Sequence, residues 1–269
     1  MASLPPIDVP KGSTGAGALD ARTTGAREPA HTDYLLRLGD DALVLGQRVS
    51  EWCGHGPVLE VDISLANLAL DLIGQANLLL NEAGDGDKLA FHRDVLDFKN
   101  CLLVEQANGD FAQSIARHLL YTTWQHMLLQ RLTESSDRFL KEFAHKAVKE
   151  VAYHRELAAD WTIRLGDGTE ESARRMAEGL DWCWRFVPEL IEVDATLQSA
   201  IDAGLAPDPR QFEQEYRDAI AKVLGEAQID VPAEQRPILG GRRGHHSEHL
   251  GHLLAVMQFL PRTYPDAIW

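Results

Sequence analysis

One run of residues limits the fold more than any other. Leu140, Ala144, Ala147, Val151, His154, Ala158, Trp161 and Leu165 advance by alternating steps of four and three, so all eight fall on one face of an α-helix. A second seam, Leu35, Leu38, Ala42, Leu45, Val49 and Trp52, repeats the pattern. Helices with one apolar face are stable only when packed on others. No segment shows the two-residue alternation of a strand or the glycine pattern of a nucleotide-binding βαβ unit, which directs the chain to an all-α domain around a four-helix core.

Seven helices are predicted. The first starts near an N-cap at Asp33 and stops at the Cys53-Gly54-His55-Gly56-Pro57 segment. The second, Leu59 to Glu82, is apolar on nearly all sides and must be covered on more than one face, in the bundle centre or against another protein. A Gly- and Asp-rich loop at 83–87 leads through a less regular stretch containing Phe98 and Asn100 to a third helix at Gly109 to Glu134. The fourth carries the Leu140–Leu165 seam. Two more follow at Glu170 to Ala203, with a kink expected at Pro188, and at Asp208 to Gly225, and a last one spans His246 to Leu260. Residues 1–32 hold Pro5, Pro6, Pro10 and Pro29 but no aromatic residue, and read as a flexible tail before a helical domain at 33–269.

Charge and cysteine content exclude several classes of function. With 26 basic and 41 acidic residues the net charge is −15, which repels nucleic acid and anionic membrane. The apolar stretch Leu65–Leu80 is broken by Asn67, Asp71, Gln75 and Asn77 and reads as too short and polar for a membrane span. Cys53, Cys101 and Cys183 form no close pair, which argues against disulfides or a zinc ribbon and for the cytoplasm.

Helical bundles hold two iron ions when two helices each supply a carboxylate and two others each supply Glu-x-x-His. The pertinent positions are Glu51, Asp71, the Thr122 region and His154, but Gly74 follows Asp71 by three and Val151 precedes His154 by three. Glu150 lies one position off, about 100° around the helix. His154 reads as a hydrogen-bonded core histidine, Glu51 with His55 as a helix-end pair, and Asn67, Asp71 and Gln75 as an internal polar network. His245, His246, Glu248, His249 and His252 form the densest histidine cluster, with His245, Glu248, His249 and His252 on one helical face. Arg242 and Arg243 before it disfavour a cation and suit an anion or a carboxylate partner, so the cluster reads as a polar interface or loop anchor. Trp124, Trp161, Trp182 and Trp184 read as core or subunit-contact residues.

Four long strings carry a family resemblance: LRLGDDALVLGQRVSEWCGHGPVLEVDISLANLALDLIGQANLLL, FKNCLLVEQANGDFAQSIARHLL, AVKEVAYHRELAADWTIRLGDGTE and GGRRGHHSEHLGHLLAVMQFL. From Asp33 to the C-terminus the chain resembles the structural, or C, subunits of the bacterial ring-1,2-phenylacetyl-CoA epoxidases, which are ferritin-like four-helix bundles with additional C-terminal helices. The resemblance implies a partner, a related catalytic subunit that carries a di-iron centre, together with further small and reductase components. That complex epoxidises the ring of phenylacetyl-CoA with electrons from NADPH. It also implies that Glu51, Asp71, Gly74, Thr122, Val151 and His154 are the degenerate remains of the relative's ligand set, so this chain is expected to hold no metal or other cofactor and no catalytic residue. The competing readings are a di-iron oxygenase with other ligands and an acyl-CoA carrier using a vacated cavity.

Overall fold

The computed structural model describes residues 28–265 and 267. Among them there is no strand. Helix α1 (Pro29–Ser50) begins four residues before the expected cap at Asp33. Pro29 occupies the first turn, where its missing N–H costs nothing, and Asp33 instead bonds Arg37 one turn on, which also reaches Asp194 at 2.8 Å. The proposed tail therefore loses residues 29–32 to the helix; residues 1–27 of it lie outside the described residues.

α2 (Leu59–Ala83) returns along α1. The two approach closely because α1 has glycines where they cross: a Cβ on Gly39 would meet Leu80 at 2.8 Å, and one on Gly46 would meet Ile73 at 3.0 Å. Next come short helices α3 (Gly86–Phe91) and α4 (Leu102–Glu105), then α5 (Phe111–Leu132) and α6 (Arg138–Gly166). Asp110 and Asp137 cap α5 and α6 by accepting from Gln113 N–H at 2.9 Å and Leu140 N–H at 2.8 Å. α1, α2, α5 and α6 form the core, with Leu35, Leu45, Leu68, Leu72, Leu119, Leu140 and Val151 fully buried. Trp52 lies just beyond α1 rather than on it. Its indole donates to Ser114 Oγ at 3.1 Å, and Trp52, Phe111 and Trp161 stack edge to face at 5.7 and 5.2 Å, clamping the helix ends together.

The expected helix at 170–203 is three: α7 (Glu170–Trp184), α8 (Val187–Ile191) and α9 (Ala195–Asp202). Pro188 does not kink one helix; it opens α8, since it lacks the N–H that continuation of α7 would require. α10 (Glu213–Glu226), α11 (Glu248–Met257) and α12 (Phe259–Thr263) complete the chain. By length and composition α2 is long and apolar enough to cross a membrane, contrary to the reading from its polar interruptions. Here its inner face, Val61, Leu65, Leu68, Leu72, Leu79 and Leu80, is buried in the bundle.

Candidate functional site

The six positions from which a di-iron site would be built do not converge. Glu51 is exposed at the end of α1, where it accepts from Arg48 at 2.9 Å and Asn108 at 2.8 Å. It does not pair with His55, whose Nδ1 lies 3.2 Å from the Cys53 carbonyl. Gly74 faces outward, and a Cβ built on it meets nothing within 4 Å. Thr122 is fully buried and its hydroxyl donates to the His118 carbonyl at 2.7 Å. Val151, also fully buried, puts hydrocarbon where the Glu of a Glu-x-x-His pair would stand.

Asp71 and His154 remain, joined at 3.1 Å between Oδ2 and Nε2. Burial lowers the His154 pKa and outweighs the opposing pull of Asp71 and Glu150, so the neutral ring donates from Nε2 to the carboxylate. His118 lies 5.9 Å away, ring to ring, with its pKa well below the ordinary value, chiefly through burial, with His154, which would repel it only if both rings were charged, and the Arg117 cation acting in the same direction. Beside them Gln75 donates to Glu150 at 3.0 Å and accepts from Gln125 at 3.3 Å. The expected polar strip is thus two pairings, from Asp71 and from Gln75; Asn67 is exposed and outside both. Among the described residues no group of three or more His, Cys, Asp or Glu is placed to hold a metal ion. One carboxylate and one histidine already bonded to each other do not fit two-iron coordination.

A second polar cluster fixes the C-terminal segment to α1 and α4. Asp41 is fully buried and accepts from Cys101 N–H at 2.7 Å and Arg242 at 2.7 Å. Arg242 also donates to the carbonyls of Arg37 at 3.3 Å and Lys99 at 3.0 Å. Burial would lower its pKa, but Asp41 reverses the shift and raises it. Glu105, fully buried, accepts from Asn100 at 2.8 Å, His246 Nδ1 at 2.7 Å and Ser247 N–H at 2.6 Å. Glu189 accepts the N–H groups of Leu102 at 2.6 Å and Gly240 at 2.8 Å. Asp40 takes Lys99 N–H at 2.8 Å and pairs with Arg93.

This overturns the reading of Arg242 as an anion or partner contact: its guanidinium is committed inside the chain. Arg243, more exposed, pairs with Glu192 at 2.8 Å. The histidine cluster is likewise not one helical face. His245 and His246 precede α11, and the His246 side chain is buried between Glu105 and the Phe98 carbonyl, 3.0 Å away. The loop-anchor reading holds for His246.

The remaining feature is the outer face of α2. Leu59, Ile63, Leu70 and Leu78 are 71%, 53%, 69% and 40% exposed, and with Asn67, Gly74 and Asn77 they form one stripe. A glycine in an exposed helix interior costs about 1 kcal/mol relative to alanine, and nothing among the described residues lies close enough to require it at position 74.

These helices define a ferritin-like bundle. The family of phenylacetic acid catabolic proteins matches residues 18–269, and the chain belongs to that family. It is 45% identical over 244 residues to the C subunit of the 1,2-phenylacetyl-CoA epoxidase of Escherichia coli (strain K12), a match covering 88% of this chain and 98% of the relative.

Proposed function

We propose that this chain is the non-catalytic structural subunit of a phenylacetyl-CoA epoxidase acting in the cytoplasm in aerobic phenylacetate degradation. It binds and supports a separate di-iron catalytic subunit, works beside small and reductase components, and carries no cofactor of its own. The observation that carries the reading is Val151, fully buried on α6 one turn before His154. A site that needs Glu-x-x-His has a packed methyl layer instead. The near full-length match to the C subunit of an epoxidase supports the same assignment.

The test is co-expression with a catalytic subunit of a phenylacetyl-CoA epoxidase from the same source, followed by size-exclusion chromatography, metal analysis and epoxidase assay. The expected result is a stable hetero-oligomer that needs both chains for activity, while this chain alone holds far less than one iron. Near two iron ions per chain, with the visible absorption of a di-iron centre, would instead establish it as an oxygenase in its own right.

A further inference from the structure

We propose that His118 and His154 together bind one Cu(I) ion between α5 and α6. The inference goes beyond the structural-subunit reading: the ion is taken up from solution and is not a cofactor of the epoxidation. His118 is 3% exposed, and it alone among the described residues leaves two buried side-chain polar atoms, Nδ1 and Nε2, without a hydrogen-bond partner. Buried polar groups are rarely left unbonded, so such a ring calls for an occupant beside it. His154, fully buried, gives Nε2 to Asp71 and leaves Nδ1 unpartnered as well. The neutral ring thus carries its proton on Nε2 and a free lone pair on Nδ1. A carboxylate holding the far N–H is also what orients a metal-binding histidine and strengthens its donor nitrogen. The ring centres lie 5.9 Å apart. With metal–nitrogen bonds of about 2 Å, as for zinc, and each nitrogen about 1 Å from its ring centre, one ion held in line by two imidazoles sets the centres about 6 Å apart.

Donor number and charge select the ion. No third His, Cys, Asp or Glu joins the pair among the described residues. Zinc takes four ligands, and magnesium or calcium six or more, mostly oxygen, whereas Cu(I), with a filled d shell, is satisfied by two neutral imidazoles in line. Burial lowers both histidine pKa values, so the rings are neutral at neutral pH and no proton has to be displaced. The single charge is met by Asp71 on the far nitrogen of His154. A second charge would be unmatched. Glu150 already faces Lys146 at 3.6 Å, the Arg117 cation also acts on His118, and Val151 and Ala158, the fully buried neighbours of His154 on its face of α6, offer only hydrocarbon. The Asp71 side chain is 40% exposed and gives an ion from solution its first contact.

The experiment titrates the full-length chain with Cu(I), anaerobically and against a competing chelator, with Ag(I) as a redox-inert ion of the same charge. Cys53, which is exposed, is replaced by serine in every sample, because a free thiol also takes Cu(I). Expected are one ion per chain, an X-ray absorption spectrum with two nitrogen neighbours and no sulfur, and a rise in melting temperature, as for any ligand that binds only the folded state. His118→Leu and His154→Gln each weaken binding at least tenfold, while His252→Ala, at an exposed histidine of α11, leaves it unchanged. Metal-free His118→Leu is expected to melt no lower than its parent, since no hydrogen bond is lost, and His154→Gln keeps a polar partner for Asp71. No uptake, sulfur bound to the ion, Zn(II) held as tightly as Cu(I), or affinity unchanged in both variants would overturn the inference. No uptake together with a lower melting temperature for metal-free His118→Leu would assign the space between the rings to a bridging water. None of these results bears on association with the catalytic subunit or on iron content, so the structural-subunit reading is tested separately.

Discussion

Arg242→Met tests the claim that the C-terminal segment is fastened from within. The substitution keeps much of the side-chain volume and removes the charge. Asp41, with no exposed side-chain surface, would lose its 2.7 Å guanidinium partner and be left with the neutral donors Cys101 N–H and the Tyr121 hydroxyl, and the Arg37 and Lys99 carbonyls would lose a donor. Breaking a buried pair from one side costs about 3–5 kcal/mol, a large part of a typical total of about 5–15 kcal/mol. At about 2–4 °C per kcal/mol for a chain approaching this size, the melting temperature should fall by about 6–20 °C.

Circular-dichroism melts and urea titrations at neutral pH measure the loss. The Asp41→Asn/Arg242→Met double variant should be more stable than Arg242→Met alone, because the unpaired buried charge is gone. A partner-facing arginine predicts the opposite signature: about 0–1 kcal/mol of stability and a large effect on assembly. A loss below about 1 kcal/mol for Arg242→Met would refute the latch.

His246 titrates against the same latch. Burial opposes its charge, but the hydrogen bond and attraction of Glu105 win and raise its pKa. Its contribution is therefore complete below the free-imidazole value near about 6.5 and fades as pH rises through the raised value. The stability gap between wild type and His246→Asn should narrow between about pH 6.5 and the alkaline range; a gap that widens would contradict the assignment. Restoring nominal ligands by Gly74→His with Val151→Glu should recover neither iron binding nor oxygenase activity. Val151→Glu alone should destabilise by several kcal/mol through a carboxylate placed in the packed layer, whereas Gly74→His alone, on an open face, should leave stability within about 1 kcal/mol; metal analysis and thermal melts report both.

The helical core is legible in the sequence because its signal is periodic and long. The 140–165 seam predicts α6 closely, with Trp161 only half buried, and 59–82 predicts α2 to within one residue. What the sequence hides is local. Pro29 as a helix opener competes with Asp33 as a cap, and the sequence around Asp33 does not reveal that its carboxylate is taken by Arg37. Pro188 reads the same whether it bends a helix or starts one. Only the packing of Val187, Glu189 and Leu190 against the body decides for a new helix.

Side-chain direction is harder to read than helix position, and it decides the site. Spacing from Asp71 places Gly74 among inward ligand positions, but α2 is apolar on two faces, so hydrophobicity alone does not distinguish the side against α1 from the side left open. The Asp40-Asp41 pair carries a signal that helical periodicity alone does not use: adjacent carboxylates inside the Leu35–Trp52 seam must find buried partners. They find Arg93 and Arg242, about 50 and 200 residues away in sequence. Arg242, Arg243 and the histidines resemble a ligand site in sequence because charge is visible there and its partners are not. Those partners are on α1, on α4, in the segment between them and at the end of α8, so the cluster binds the chain to itself.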